Sequence, residues 1–211
     1  MRCVPATVAA AGQKSRRTFL IGLWVMLGLP LSGCTRTIEW EEEVLLNTGE
    51  SLSVQRQVDY TPGGAPGNPL DIGWNQKRGA EMRFSWKGRN YVFGEHNIPL
   101  LLAISPQGVP VVLINPAVGS WDLLHGLPCR TPGYVQFVPD ATGERWSWLA
   151  AIEPWLYSLP ANLLQELPNP GQAAATYSQQ EVRAANAALR ISPHDRFIDP
   201  GFTRDNCPKG S

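Results

Sequence analysis

The sequence predicts a mainly β domain, made of antiparallel hairpins in a sandwich or barrel-like arrangement, with one C-terminal α-helix as a minor α+β element. Three observations predict it. From residue 38 onward, apolar and polar side chains alternate along successive short runs, which is the signature of half-buried strands. Clusters of Gly, Pro, Asn and Asp separate those runs at hairpin spacing. One segment near the C-terminus carries a helix-start signature in place of alternation.

The first hairpin places Ile38, Trp40, Val44 and Leu46 on one face and Glu39, Glu41 and Glu43 on the other, so the Glu run reads as the solvated face. Asn47-Thr48-Gly49-Glu50 turns the chain, and Leu52, Val54, Val58 and Tyr60 carry the apolar face back. Residues 61–69 are too rich in Gly and Pro for regular structure and predict a long loop. Met82, Phe84 and Trp86 alternate again, Lys87-Gly88-Arg89-Asn90 turns, and Tyr91-Val92-Phe93 returns. Residues 100–104 and 109–114 are continuous apolar runs around Ser105-Pro106-Gln107-Gly108, and predict central strands buried on both faces. A further hairpin joins residues 134–138 to 145–149 through Asp140-Ala141-Thr142-Gly143. Residues 152–170 are punctuated by Pro and show no clean period. Ser178-Gln179-Gln180-Glu181 then fits a capping box, with Tyr177 and Val182 placed as its hydrophobic staple and Pro193 soon after the helix. About eight strands and one helix make a single β-rich domain over residues 34–211, large enough for an ordinary core.

Residues that carry chemistry are sparse. Three histidines occur, His96, His125 and His194, each within two residues of Pro or Gly and none at metal-ligand spacing. Asp122 or Glu95 with His125 or His96 is the only pairing that suits a hydrolase. No nucleophile elbow accompanies them, and no phosphate-binding loop is present, so no catalytic residue, metal or cofactor is assigned. Of the eight tryptophans, Trp146 and Trp148 share one strand face and read as core. Trp74, Trp121 and Trp155 fall in or near loops and are the candidate ligand-contact aromatics, for a sugar face or a protein partner's pocket.

The N-terminal segment has another character. Residues 1–33 hold Arg2, Lys14, Arg16 and Arg17 and no acidic residue, followed by an uncharged apolar run over residues 19–31. That run suits a signal-peptide core and is shorter than the roughly 20 residues needed to span a bilayer. It ends in Leu31-Ser32-Gly33-Cys34, which resembles the lipobox of bacterial lipoproteins. The resemblance covers residues 1–34 and implies cleavage before Cys34, diacylglycerol on its sulfur and, usually, acylation of the freed amine. Ser15-Arg16-Arg17-Thr18-Phe19-Leu20 is also similar to the twin-arginine export motif, which leaves general secretory and twin-arginine export both open. Thr35, where enteric-type lipoproteins retained in the inner membrane carry Asp, points to the outer membrane.

Loss of the leader changes the charge balance. The whole chain has 18 Lys and Arg against 18 Asp and Glu, and all four leader charges are basic, so residues 34–211 carry about −4. An acidic domain of this kind excludes a nucleic-acid partner and leaves membrane attachment to lipid alone. Of the four cysteines, Cys3 leaves with the leader and Cys34 takes the lipid, so Cys129 and Cys207 remain as a natural disulfide pair outside the cytoplasm. Closing a loop of about 79 residues would stabilise by roughly 4.5 kcal/mol on the chain-entropy account. The sequence therefore predicts a lipid-anchored envelope protein with its domain in the periplasm, acting as a non-catalytic binding or accessory module for a protein partner. Immunity and assembly roles fit that description. A periplasmic hydrolase and a glycan-binding lipoprotein are the alternatives.

Overall fold

The computed structural model describes residues 35–63, 73–94, 98–116, 131–149, 151–168, 176–189 and 196–204, with residues 77–80 described by their backbone alone. Nine strands and one α-helix are present among these residues, in two sheets. The expected class, mainly β with a single helix near the C-terminus, is the one observed.

The larger sheet has the order β4-β3-β2-β1-β9. It comprises β1 (Arg36–Leu45), β2 (Ser51–Gly63), β3 (Gly73–Trp86), β4 (Arg89–Gly94) and the two-residue β9 (Thr176–Tyr177), which pairs parallel to β1. The smaller sheet is a meander of β5 (Pro99–Ile104), β6 (Pro110–Ile114), β7 (Val135–Pro139) and β8 (Trp146–Leu149). Its inner face packs on one half of the larger sheet. Met82, Phe84 and Phe93 meet Leu102, Val112 and Phe137 in a common core, with Phe93 edge-on to both Phe137 and Trp146. Trp146 and Trp148 pack against that core, as their shared strand face predicts.

Among the described residues, no sheet lies opposite the other half of the larger sheet. Ile38, Trp40, Val58 and Tyr60 are covered there by Leu167 and Tyr177. Residues 162–168 form a strap across this region, and α1 (Gln179–Ala188) holds the strap in place. Asn186 on α1 accepts from Gln165 N (3.0 Å) and donates to Leu163 O (2.8 Å). The capping box forms as its sequence predicts: Ser178 accepts from Glu181 N, and the Glu181 carboxylate accepts from Ser178 N. The carboxylate also accepts from Ser178 Oγ, and the backbone and side-chain hydrogen bonds that Ser178 donates to it hold the Glu181 carboxyl below the ordinary glutamate range.

Three expectations change. The Glu run is not wholly solvated: Glu42 lies on the inner face and is fully buried. The loop expected over residues 61–69 begins later, because β2 continues through Thr61, Pro62 and Gly63 and pairs with β3 from Gly73. Pro62 fits because β-ribbon ends tolerate a residue without an N–H. Finally, β5 is buried on both faces but stands at the edge of its sheet. One face meets the core between the sheets; the other packs on Ile152, Leu156, Ile198 and Phe202.

Candidate functional site

Edge strands expose unpaired backbone groups, and β5 has them covered by side chains. Asn162 accepts from Leu102 N (2.9 Å) and donates to Leu102 O (2.8 Å), and its amide also reaches Leu45 O (2.9 Å). Asn47, from the β1–β2 turn, treats Ile104 in the same way, accepting from its N–H at 2.7 Å and donating to its carbonyl at 2.9 Å. Each carboxamide stands in for one peptide of a missing neighbouring strand. Together they pin the end of β1 to β5.

A two-lobed groove runs beside this clamped edge. One lobe, of about 340 Å³, is walled by Leu45, Leu101, Leu159, Val182 and Phe197, with Asn47 and Asn162 also lining it. Phe197 is 55% exposed, the most exposed large apolar side chain among the described residues. The second lobe, of about 540 Å³, shares Asn47 and Leu159 with the first and adds Trp86, Ile104, Pro106 and Trp155. Glu43 and Arg183 line the first lobe, Glu50 and Lys87 the second.

The aromatic walls are held in fixed orientations. Trp86 Nε1 donates to Gly108 O at 3.1 Å, and the Lys87 ammonium sits 5.5 Å from the Trp86 ring centre. Trp155, in the 3₁₀ turn Pro154–Leu156, donates from Nε1 to Glu153 Oε2 at 2.8 Å. Glu153 is fixed in turn by buried Gln136, which donates to Glu153 Oε2 (3.1 Å) and accepts from Glu153 N (2.9 Å). Fixing the rings beforehand removes ordering entropy that a ligand would otherwise have to overcome. The clamp amides are engaged by β5, so the floor offers a ligand mostly apolar surface.

The loop tryptophans separate. Trp155 lines the groove; Trp74 stands on β3 opposite Pro62, 37% exposed and away from it. Trp121 lies outside the described residues, as do Cys34, Cys129, Cys207, Glu95, Asp122 and the three histidines. Sequence reasoning missed Trp86, Asn47, Asn162 and Phe197 as groove residues. Asn47 had a turn signal only, and Phe197 none.

A second cluster lies under the strap. Arg56 and Glu42 form an ion pair of 2.8 Å with both side chains fully buried. Glu42 also accepts from Trp40 Nε1 (2.6 Å) and Leu164 N (3.0 Å), while Arg56 donates to Leu164 O (3.1 Å) and lies 5.2 Å from the Trp40 ring centre. Both ions engage the Leu164 peptide, so the pair joins strap to sheet. Among the described residues no cluster of His, Cys, Asp and Glu has metal-site geometry, and no helix is long and apolar enough to cross a membrane. No protein-family model, curated protein or solved structure matches the chain.

Proposed function

We propose that this chain is a lipid-anchored binding module of the bacterial cell envelope, attached through Cys34 and presenting its groove to a protein partner. The observation that carries the reading is the placement of its two ends. β1 begins at Arg36, with only Thr35 between it and the lipobox cysteine. The ten residues of β1 then run about 30 Å to Asn47 and the groove. An anchor at one end therefore directs the groove away from the bilayer. Its apolar walls and charged rim follow the plan of protein interfaces, in which rigid aromatic anchors carry most of the energy.

The test is in-cell photo-crosslinking from Phe197 and Lys87, with Gln55 on the outer face of the larger sheet as control. Adducts to one envelope protein from the two groove positions, absent from the control, are expected; matching patterns at all three positions would sink the reading. Cys34→Ser should release the protein from membranes. The part-exposed Trp155 in the second lobe favours a second reading, a glycan site, because sugar faces stack on indole rings. Enrichment by peptidoglycan fragments that is lost in Trp155→Ala would select it. The hydrolase alternative depends on Glu95, His96, Asp122 and His125, which lie outside the described residues, and no step is assigned to them.

A further inference from the structure

We infer that the protein received by the groove is a second copy of this chain, standing beside the first on the same membrane and related to it by a two-fold axis along the membrane normal. This rests on the lipid-anchored, protein-binding reading above, and names the partner of that groove.

The two clamps set the direction in which the groove faces. Asn162 ties Leu45 to Leu102, and Asn47, two residues on from Leu45, is tied to Ile104, two residues on from Leu102. The β5 strand therefore climbs alongside the end of β1. With β1 upright from Cys34, the edge of β5 and the groove beside it face sideways, parallel to the bilayer. Every anchored copy then holds its groove at the same height, about 30 Å above the lipid. Equal height is what a two-fold axis along the membrane normal requires, and confinement to one leaflet raises the local concentration of copies.

A two-fold interface buries the same patch on both molecules, so the patch has to complement itself. This one does, in shape and in charge. Phe197 projects from the first lobe with 55% exposure, and the second lobe is a recess of about 540 Å³ with Trp155, Pro106 and Leu159 on its walls. Each copy thus offers one ring, and one apolar recess to take its neighbour's ring, an aromatic contact of the kind that anchors interfaces. The rim holds two acids, Glu43 and Glu50, and two bases, Arg183 and Lys87, all exposed. Among the described residues neither base is in an ion pair, and the two carboxylates accept only from the neutral side chains of Gln179 and Thr48. The net charge of about −4 carried by residues 34–211 therefore lies outside the groove. Two such domains repel through the rest of their surfaces and meet without net repulsion here, where each base finds an acid of the other copy. The lobes are together walled by about twenty residues, the number that one side of an ordinary stable interface uses.

The test uses full lipidated chains carrying two different epitope tags, co-expressed, with a photoreactive phenylalanine analogue at position 197 or, as control, at position 55. Parent chains should give an adduct bearing both tags from position 197 and none from position 55. Lys87→Glu with Arg183→Glu makes all four rim charges acidic, and Glu43→Lys with Glu50→Lys makes all four basic. Like charge should lower the doubly tagged adduct at least about tenfold within either variant, while the acidic and basic variants co-expressed should recover the parent yield. A mixed pair no better than either variant alone would overturn the second copy. Adducts from position 197 to a different protein only would overturn it too, and leave the protein-binding reading intact. Adducts that match those from position 55 overturn that reading as well. Should a charge variant fail to accumulate, the probe moves to Pro106, exposed in the second lobe. Phe197→Ala should then lose the doubly tagged adduct, and its retention refutes the inference.

Discussion

The two halves of the larger sheet are completed by opposite means. Next to Arg36, the inner face is closed by a strap that an ion pair fastens, Glu42 with Arg56. Next to Leu45, it is closed by a second sheet whose edge two neutral amides fasten, Asn47 and Asn162. Charged fasteners are strong only while both partners are present, because taking each ion out of water is expensive. Neutral amides carry a smaller desolvation penalty than ions, and those that water can replace lose little. The domain thus has one end whose fastener fails as a unit and one whose fasteners are separate amides, each losing according to its burial.

The largest effect is expected at the ion pair. Glu42→Leu leaves Arg56 as a buried, unpaired cation, and should lower unfolding free energy by about 3–5 kcal/mol in denaturant titration. Glu42→Leu with Arg56→Met removes both charges and should recover a large part of that loss. If the double variant is no better than the single one, the strap is held by packing and the contrast between the halves fails.

Next come the amides. Asn162 is half-buried and serves three backbone groups, so Asn162→Ala should cost about 2–3 kcal/mol and speed amide exchange at Leu102. Asn47 is exposed and water can replace it, so Asn47→Ala should cost less than about 1 kcal/mol. Equal losses would show that the edge is held by geometry and not by the degree of burial.

Smaller again is the helix cap that supports the strap. Ser178→Ala should lose about 1 kcal/mol, seen as a lower thermal midpoint. Acid should act on the same cap. The folded Glu181 carboxyl titrates below its unfolded value, so its contribution is present above the ordinary glutamate range and fades as pH falls through the lowered folded value. Helical circular dichroism of the parent chain should therefore weaken in that acid range. The loss should be smaller in Glu181→Gln, and identical profiles would remove the cap from the account.

The hairpins were legible because strand alternation is local, and Ile38, Trp40 and Val44 fall on the inner face as read. Glu42 was not. Its register is that of Trp40 and Val44, but its chemistry matches the solvated glutamates on either side. Only its cross-strand context, with Arg56 opposite Trp40, shows that a carboxylate there has a partner. The edge position of β5 was hidden for a related reason. Residues 100–104 are as apolar as a central strand, because irregular C-terminal segments bury the second face and asparagines distant in sequence cover the edge. The groove joins residues from Glu43 to Phe197, and no local pattern spans that distance.

The covered edges bear on crowding. Acylation would confine many copies to two dimensions, which raises their local concentration far above that of a freely diffusing protein. Strands with open edges would then meet side by side and polymerise. Here β5 is occupied by carboxamides. At the other side of the sandwich, the Val92 peptide of β4 is engaged too: its N–H donates to Gly143 O at 3.1 Å and its carbonyl accepts from Trp146 Nε1 at 2.7 Å. A lawn of such domains could be packed densely on a membrane without pairing through β4 or β5.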